Sequence, residues 1–222
     1  MILAHSELTE SLHISDFEVT EWIVESPELF IQYLNELSVQ INGQNGRFVL
    51  SRNDKELNIS KSIEIIFSPF LLEINEKKVL SKIYLELQDI ANDENTYLKT
   101  RELVTAIHQY FLDIEQSYSM TLSIYDDIDL QSLFKLLGVK IEVNSLSLFE
   151  ILLQYMKLQT VLLNKKLIIL VNTNSYLTET QIQELCLFSQ HNEINILLYE
   201  SYQRYFTKKI KTYIIDTDKC EI

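Results

Sequence analysis

A short apolar strand followed by a polar loop and a capped helix is the feature that most constrains how this sequence can fold. The run LIILV (167–171) is followed by an Asn/Thr/Ser loop, and Thr178 then begins a capping-box pattern. Residues 13–25 are also strand-like and are also followed by a helix start, since Ser26 is a typical N-cap and Pro27 is typical of the first helical position. Strands that alternate with helices predict a largely parallel sheet with both faces covered.

Other segments repeat this pattern on both sides of the chain. Ser147 and Glu150 have the spacing of a second capping box, which predicts a helix to about residue 163. Strands are predicted where apolar residues alternate or β-branched residues cluster. These further segments are 47–50, 62–67, 139–143, 195–199 and 212–216.

Between residues 73 and 137 the apolar spacing changes from that of strands to that of helices. Two long helices are predicted over 80–91 and 103–114, and a short third helix lies between Asp129 and Gly138. Because α/β segments flank this stretch on both sides, the sequence predicts a split α/β head with an inserted all-helical lobe. The predicted domains are an α/β head formed by 1–70 and 139–222 and a helical leg formed by 71–138.

The composition favours a helix-rich globular protein. The chain has 222 residues, of which 46% are hydrophobic, with three glycines and two prolines. No apolar run approaches the roughly 20 residues that span a bilayer, and no basic residue precedes the short apolar start, unlike a signal peptide. Cys186 and Cys220 form no CxxC motif, which favours a reduced, cytoplasmic protein without a membrane partner.

The distribution of charge is uneven. The net charge is −13, which argues against binding to nucleic acid, because basic residues dominate phosphate contacts. Positions 1–46 contain eight acidic residues and no Lys or Arg, whereas fourteen of the nineteen basic residues lie in 47–82 and 161–222. These two blocks would form one basic surface on an acidic body if they met in space.

The sequence lacks the motif of a phosphate-binding loop. Such a loop needs glycines, because backbone N–H groups must wrap around the anion. Gly43, Gly46 and Gly138 match neither GxxxxGK[ST] nor GxGxxG, and Asn172 follows a strand where an acidic metal ligand is common in nucleotide-hydrolysing enzymes. The sequence also has no GxSxG, and its four histidines have no zinc-ligand spacing. These absences argue against a bound nucleotide and against catalysis.

One acidic cluster admits two interpretations. Asp126, Asp127 and Asp129 are three carboxylates within four residues. They supply oxygens for Ca²⁺, which takes 6–8 oxygen ligands, or they stabilise the positive end of the helix that follows. The glycine and terminal Glu of an EF-hand are missing, and both interpretations stay open.

Four segments are similar to a known family, and the most specific of them is the strand KKLIILVN followed by YLTE. With these segments the chain resembles the type II-A CRISPR-associated adaptation protein, the Csn family. The length and the order of elements fit over the whole chain, while the N-terminal half matches by pattern more than by identity. The segments are 133–143, 147–172, 175–185 and 194–201.

The resemblance implies a function in the acquisition of CRISPR spacers without enzymatic activity. Family members form homotetrameric rings with an α/β head that is related to nucleotide-binding folds but degenerate, and with a helical leg. They bind double-stranded DNA ends through a lysine-lined central hole, and Ca²⁺ supports their assembly. Their partners are the CRISPR integrase and effector nuclease proteins. DNA would contact such a ring through its phosphates, and therefore independently of sequence.

The resemblance also implies site residues. The residues that match the family's DNA-binding inner surface are Arg47, Arg52, Lys55 and Lys61, followed by Lys77, Lys78 and Lys82 at the junction of head and leg. Relatives have an acidic run between the long and the short leg helix, whereas residues 116–123 have no carboxylate here. The nearby candidates for Ca²⁺ are Asp113, Glu115, Asp126 and Asp127. Either the metal sites are fewer in this chain, or it assembles without them.

Two other functions remain as alternatives to the DNA-binding ring. The first is a divergent NTPase or metal-dependent nuclease that uses Asp126 and Asp127. The second is a protein-interaction adaptor that makes no contact with DNA.

Overall fold

The computed structural model of this chain describes residues 1–203 and 210–222, and it separates into two compact units. We name the larger unit the head and the smaller unit the leg. The head contains Met1–Ile74 and Val143–Ile222, and the leg contains Asn75–Glu142.

Strands and helices are numbered along the chain. The strands are β1 (Ile2–His5), β2 (Leu12–His13), β3 (Val19–Val24), β4 (Phe48–Arg52), β5 (Lys55–Leu57), β6 (Ile63–Ile66), β7 (Leu167–Val171), β8 (Ile196–Glu200) and β9 (Lys211–Ile215). The helices are α1 (Pro27–Ile41), α2 (Ile59–Ser62), α3 (Lys77–Ala91), α4 (Tyr97–Glu115), α5 (Leu130–Leu136), α6 (Leu148–Val161) and α7 (Glu179–Asn192).

A five-stranded parallel sheet lies at the centre of the head, in the order β6-β7-β8-β3-β9. All residues of β3, β7 and β8 are buried. Their almost continuous apolar sequences are typical of parallel strands that are covered on both faces. The predicted α/β class with a mostly parallel sheet is confirmed.

Both predicted capping boxes are confirmed and determine where α6 and α7 begin. The Ser147 hydroxyl accepts a hydrogen bond from the Glu150 N–H, and the Ser147 N–H donates to the Glu150 carboxylate. Thr178 and Gln181 make the same reciprocal pair. In each box, donors that have no partner within the helix are satisfied.

A second, antiparallel sheet in the head was not predicted. Its order is β2-β1-β4-β5, and its last two strands form a hairpin that extends beyond the predicted strand at 47–50. Asn53 and Asp54 have φ angles of 52° and 58°. Two successive left-handed residues are typical of the turn that matches the twist of a hairpin, and Asn and Asp tolerate this conformation better than most residues.

Trp22 joins the packing of the two sheets. The indole ring is 1% exposed, and its centroid lies 4.9 Å from that of Tyr199 and 5.3 Å from that of Tyr33. Phe48 of the antiparallel sheet contacts it edge-on at 6.2 Å. Aromatic residues from β3, β8, α1 and β4 therefore form one core.

The leg contains α3, α4 and α5. Asp129 caps α5 with hydrogen bonds from the N–H groups of Gln131 and Ser132, and Gly138 follows the helix with a left-handed φ of 66°. No helix in the described ranges combines the length with the apolar character that a membrane crossing requires.

The predicted strand at residues 139–143 is wrong. Asn75 occupies both backbone groups of Ile141: its amide accepts from the Ile141 N–H at 2.8 Å and donates to the Ile141 carbonyl at 3.0 Å. The Tyr84 hydroxyl donates to the carbonyl of Val139. Because side chains satisfy this backbone, the alternating sequence does not need a partner strand.

Gln40 of α1 performs a similar function for β4. Its buried amide donates to the Phe48 carbonyl at 3.0 Å and accepts from the Phe48 N–H at 3.1 Å. A Cβ atom at Gly46 would lie 2.5 Å from Cδ of Gln40, which explains the glycine at that position. This one side chain therefore connects α1 to the first residue of β4.

We expect Gln40→Leu to destabilise the head by about 1–3 kcal/mol, because the N–H and carbonyl of Phe48 would stay buried without partners. Urea unfolding followed by Trp22 fluorescence measures this change. Gln44→Leu is the matched control, since Gln44 is exposed, and we expect a change within about 0.5 kcal/mol. Equal effects of the two substitutions would contradict the structural role of Gln40.

Candidate functional site

The carboxyl edge of the parallel sheet is the first candidate site, because open α/β sheets usually bind ligands there. At this edge only Glu25 and Ser26 separate β3 from α1. The Glu25 N–H donates to the Ile215 carbonyl, and Ser26 is buried. Two residues without glycine are too short to wrap backbone N–H groups around a phosphate. The β3–α1 junction therefore does not provide a phosphate-binding loop.

A buried acid lies at the same edge of the sheet. It ends β8, whereas nucleotide-hydrolysing enzymes commonly have an acidic metal ligand where Asn172 follows the neighbouring strand β7. Glu200 ends β8 and is fully buried. Its carboxylate accepts from the Thr173 N–H at 2.7 Å, from the Thr173 hydroxyl and, at 3.3 Å, from the Asn174 N–H. The acid thus binds the loop that follows β7.

Burial raises the pKa of Glu200 to about 7, because the charged form loses its hydration. The hydrogen bonds from Thr173 and Asn174 oppose this shift, and the nearby charge of Glu21 adds to it. Burial also raises the pKa of Tyr176, which lies in the same loop. Perturbed acids are common in functional sites, but the oxygens of Glu200 already accept bonds from the chain itself.

Asn172, at the end of β7, has a structural role. Its φ of 52° is left-handed, a conformation that asparagine tolerates. The Asn172 side-chain oxygen accepts from the N–H and the hydroxyl of Ser201 at 3.3 and 3.1 Å. Asn172 at the end of β7 therefore bonds to the loop after β8, and Glu200 at the end of β8 bonds to the loop after β7. The local hydrogen bonding indicates a structural role for both side chains.

Glu21 is a second buried acid, on β3. It lies opposite Leu198 of β8 and Thr212 of β9, and it accepts from the Thr212 hydroxyl at 3.1 Å. Burial raises the pKa of Glu21 and outweighs the effect of that hydrogen bond. Sequence reasoning missed both buried acids. The available signal was an acidic residue inside or at the end of an otherwise apolar strand.

The basic residues with a predicted role in DNA binding form two groups, and the first consists of arginines in ion pairs. Arg47 binds Glu36 through two guanidinium nitrogens, at 2.8 Å for the closest pair of atoms, and also pairs with Glu7. Arg47 lowers the pKa of Glu36 to about 2, mainly through these hydrogen bonds. Arg52 donates to Asp16 at 3.0 Å. Both guanidinium groups are already neutralised within the head.

The second group consists of exposed lysines. Lys55 begins β5 directly after the hairpin turn, and Lys61 lies in the last turn of α2. In the leg, Lys77 and Lys78 form the first turn of α3, and Lys82 lies four residues after Lys78 on the same helix face. Within residues 1–203 and 210–222 none of these five ammonium groups has an ion pair or a side-chain hydrogen bond.

The second basic block of the sequence, residues 161–222, contains lysines that have partners within the head. Lys165 is almost buried, and its Nζ donates to the carbonyls of Ser60 and Ile63 at 3.0 and 2.7 Å. Its role is therefore structural. Lys219 pairs with Glu28 at 2.8 Å. Three further basic residues of this block lie at 204, 208 and 209, outside the described residues.

The four predicted Ca²⁺ ligands are not brought together within one chain. Asp113 accepts from the Gln109 amide, Glu115 accepts from the Leu122 N–H, and Asp127 lies 3.8 Å from Arg101. Asp126 is exposed. In the part of the chain that the structure describes, no three His, Cys, Asp or Glu side chains converge as metal ligands.

These features define a class of protein. It has an α/β head, in which the buried acid Glu200 lies at the carboxyl edge of a parallel sheet, and a helical leg. Residues 40–219 match the family model described as CRISPR-associated protein (Cas_Csn2). The match covers more than half of the chain, and the chain belongs to this family. The resemblance that the sequence suggested is confirmed, as is a role associated with CRISPR.

Two curated relatives agree with the family. The chain is 29% identical to the CRISPR-associated protein Csn2 of Enterococcus faecalis, over 83% of this chain and 82% of that protein. It is 26% identical to the CRISPR-associated protein Csn2 of Streptococcus agalactiae, over 75% of this chain and 74% of that protein.

Among solved structures, the chain is similar to the ADP conformation of an ATP-binding cassette of an ABC transporter. The TM-score is 0.48 and the identity 12%, over 94% of this chain and 80% of that chain. A similarity of this size has no bearing on function.

We expect the buried acid Glu200 to make the stability of the head depend on pH. Its folded pKa of about 7 lies above the ordinary value of 4.5, so the folded state binds more protons than the unfolded state between these values. The free energy of unfolding should therefore decrease as the pH rises from about 4.5 to about 7. One pKa unit corresponds to about 1.4 kcal/mol, so the total change is a few kcal/mol.

Urea unfolding at a series of pH values tests this dependence. Glu200→Gln resembles the protonated acid and should flatten the curve in this window. Glu56→Gln is the control at an exposed position and should leave the curve unchanged. Parallel curves for the wild type and Glu200→Gln would contradict the raised pKa.

Proposed function

We propose that this chain is a non-catalytic protein that binds the ends of double-stranded DNA during CRISPR spacer acquisition, with the duplex threaded through a homotetrameric ring. The proposal places it in the cytoplasm together with the CRISPR integrase and effector nuclease proteins. Membership of the Cas_Csn2 family supports the CRISPR context. The charge of individual side chains supports the choice of DNA.

The observation behind this proposal is that Arg47 and Arg52 have ion pairs, whereas the five lysines predicted to contact DNA have none to any described residue. The head neutralises Arg47 and Arg52 with its own carboxylates. Lys55 and Lys61 stay exposed although the chain has 32 acidic residues. A polyanion binds such ammonium groups without first breaking an ion pair, and the released counterions provide the binding free energy.

The first turn of α3 supports the same choice. Lys77 and Lys78 lie at the positive end of the helix dipole. A cation in this position is unfavourable by about 0.3–1 kcal/mol. A phosphate that binds both lysines would remove this cost and would also interact favourably with the helix end. We therefore include Lys77, Lys78 and Lys82 among the DNA contacts.

The net charge makes self-association necessary for this function. Four protomers together have four times the net charge of −13, so a duplex can approach only where lysines face it and acidic surface faces away. The leg provides apolar surface for such an assembly. Helix α4 has no buried residue along its 19 residues, and Leu98, Leu103 and Tyr110 are among its exposed side chains. Apolar side chains exposed in this number are typical of protein interfaces.

Calcium enters the proposal as a ligand shared between protomers. Asp113, Glu115, Asp126 and Asp127 do not converge within one described chain, whereas Ca²⁺ requires 6–8 oxygens. Ligands from two chains would complete such a site. Calcium would then stabilise the assembly by binding only to the associated state.

We expect the chain to retain linear duplex DNA better than a closed circle of the same sequence, with an affinity that decreases steeply with salt. The double substitution Lys55→Gln and Lys61→Gln should reduce the slope of log affinity against log salt by about 1 for each phosphate contact removed. Fluorescence anisotropy over a series of salt concentrations measures both quantities.

Lys219→Gln is the control for a lysine that already has a partner, because Lys219 pairs with Glu28, and its salt slope should equal that of the wild type. Equal retention of circles and linear fragments would contradict threading. Absence of DNA binding by the wild type would favour an adaptor without DNA contact, and unchanged binding after the double substitution would exclude Lys55 and Lys61 as the contacts. Cleavage of the DNA in Mg²⁺ would assign the chain to the nucleases.

We expect the solution mass in Ca²⁺ to be four times the 26.1 kDa of one chain. Chelation of Ca²⁺ should decrease this mass, and Asp126→Asn with Asp127→Asn should have the same effect. Light scattering at fixed protein concentration measures it. The mass of a single chain under both conditions would contradict the ring.

A further inference from the structure

A cavity of about 520 Å³ lies in the head beside the end of β9. Its buried walls include Leu12 and Trp22, and its more exposed walls include Leu8, Glu10 and Glu221. The volume lies within the range of about 300–1,000 Å³ that is typical of small-ligand sites. None of these residues belongs to the proposed DNA surface.

Backbone hydrogen bonds fix the position of one carboxylate of this cavity, that of Glu221. Both oxygens of Glu221 accept backbone hydrogen bonds, from Thr9 at 2.7 Å and from Glu10 at 3.0 Å. Lys219, the basic residue of the lining, is paired with Glu28 at 2.8 Å. Its charge is therefore compensated outside the lining.

The carboxylate of Glu10 differs from that of Glu221. Glu10 is exposed, and its carboxylate has no side-chain hydrogen bond or ion pair to any described residue. It is therefore available to an external donor. Charge-assisted hydrogen bonds to such a carboxylate are about twice as strong as those between neutral groups.

One aromatic side chain of the lining already contacts a cation of the chain itself. Tyr213 lies in the wall of the cavity, and the Nζ atom of Lys211 lies 4.8 Å from the centroid of its ring. A cation at this distance is attracted by the electrons of the ring face. Trp22, the single tryptophan of the chain, lines the same cavity and is almost fully buried, so it contributes to the apolar wall.

We propose that this cavity binds a small organic cation, namely an ammonium or guanidinium group on an alkyl stem, as in a polyamine. The alkyl stem packs against Leu8, Leu12 and Trp22, and the cationic group binds the carboxylates of Glu10 and Glu221. The apolar walls select a ligand with a hydrophobic part, and the two carboxylates select its charge.

Trp22 provides a direct measurement, since it is the sole tryptophan. Spermidine and agmatine are titrated into the full chain without DNA, at constant ionic strength, and the Trp22 fluorescence is recorded. We expect a saturable change. Glu10→Gln should weaken binding about tenfold, which corresponds to the loss of one charge-assisted hydrogen bond. Glu18→Gln, at an exposed position outside the cavity lining, should bind as the wild type does.

A second readout uses Cys220, which is exposed and lines the cavity. We expect saturating spermidine to slow alkylation of Cys220 several-fold, while the reaction of the half-buried Cys186 in α7 stays unchanged. This measurement uses the wild-type chain and does not depend on the folding of a variant.

Four results would overturn the proposal. One is the absence of a saturable fluorescence change, and another is an equal affinity in the Glu10→Gln variant. An equal response to hexanol, a neutral molecule with a similar stem, would show that charge is not recognised. Saturation by an arginine-containing peptide, but by neither spermidine nor agmatine, would show that the cavity binds a cationic side chain of a partner protein and not a small molecule.

Discussion

The burial of the Glu200 carboxylate is the interaction on which the ligand edge of the head depends. The Thr173 and Asn174 N–H groups donate to its oxygens, and the Asn172 side-chain oxygen accepts hydrogen bonds from the N–H and the hydroxyl of Ser201. In an enzyme, an acid at this edge would face a metal or a substrate. Here its oxygens accept hydrogen bonds from the loop that follows β7.

The charged residues follow the same physical rule. Guanidinium groups bind carboxylates in a planar, two-pronged geometry, and the acid-rich head uses Arg47 and Arg52 in this way. The ammonium group of lysine is a compact, strongly hydrated charge on a flexible stem. Lys55 and Lys61 stay exposed to solvent. Lys55 and Lys61 therefore stay without an ion pair to any described residue, while Arg47 and Arg52 pair with carboxylates of the head.

Much of the head was predictable because its signals are local. The apolar runs of β7 and β8 and the capping boxes at Ser147 and Thr178 each depend on a few adjacent residues. The antiparallel sheet was missed because β1 and β4 pair across 40 residues or more of sequence. The strand predicted at 139–143 was wrong for a related reason: Asn75, far away in sequence, occupies the backbone of Ile141.

The sequence by itself determined the α/β class, the helical insertion, the absence of phosphate-loop glycines and the family, since each follows from the types and spacing of neighbouring residues. Only the tertiary structure decided which charged groups are available. Glu21 and Glu200 look like ordinary strand residues until burial removes their hydration. Arg47 is one cation among others in the sequence, and only the fold pairs it with Glu36 and Glu7. Solvation and pairing depend on distances between residues that are remote in sequence, and composition does not encode those distances.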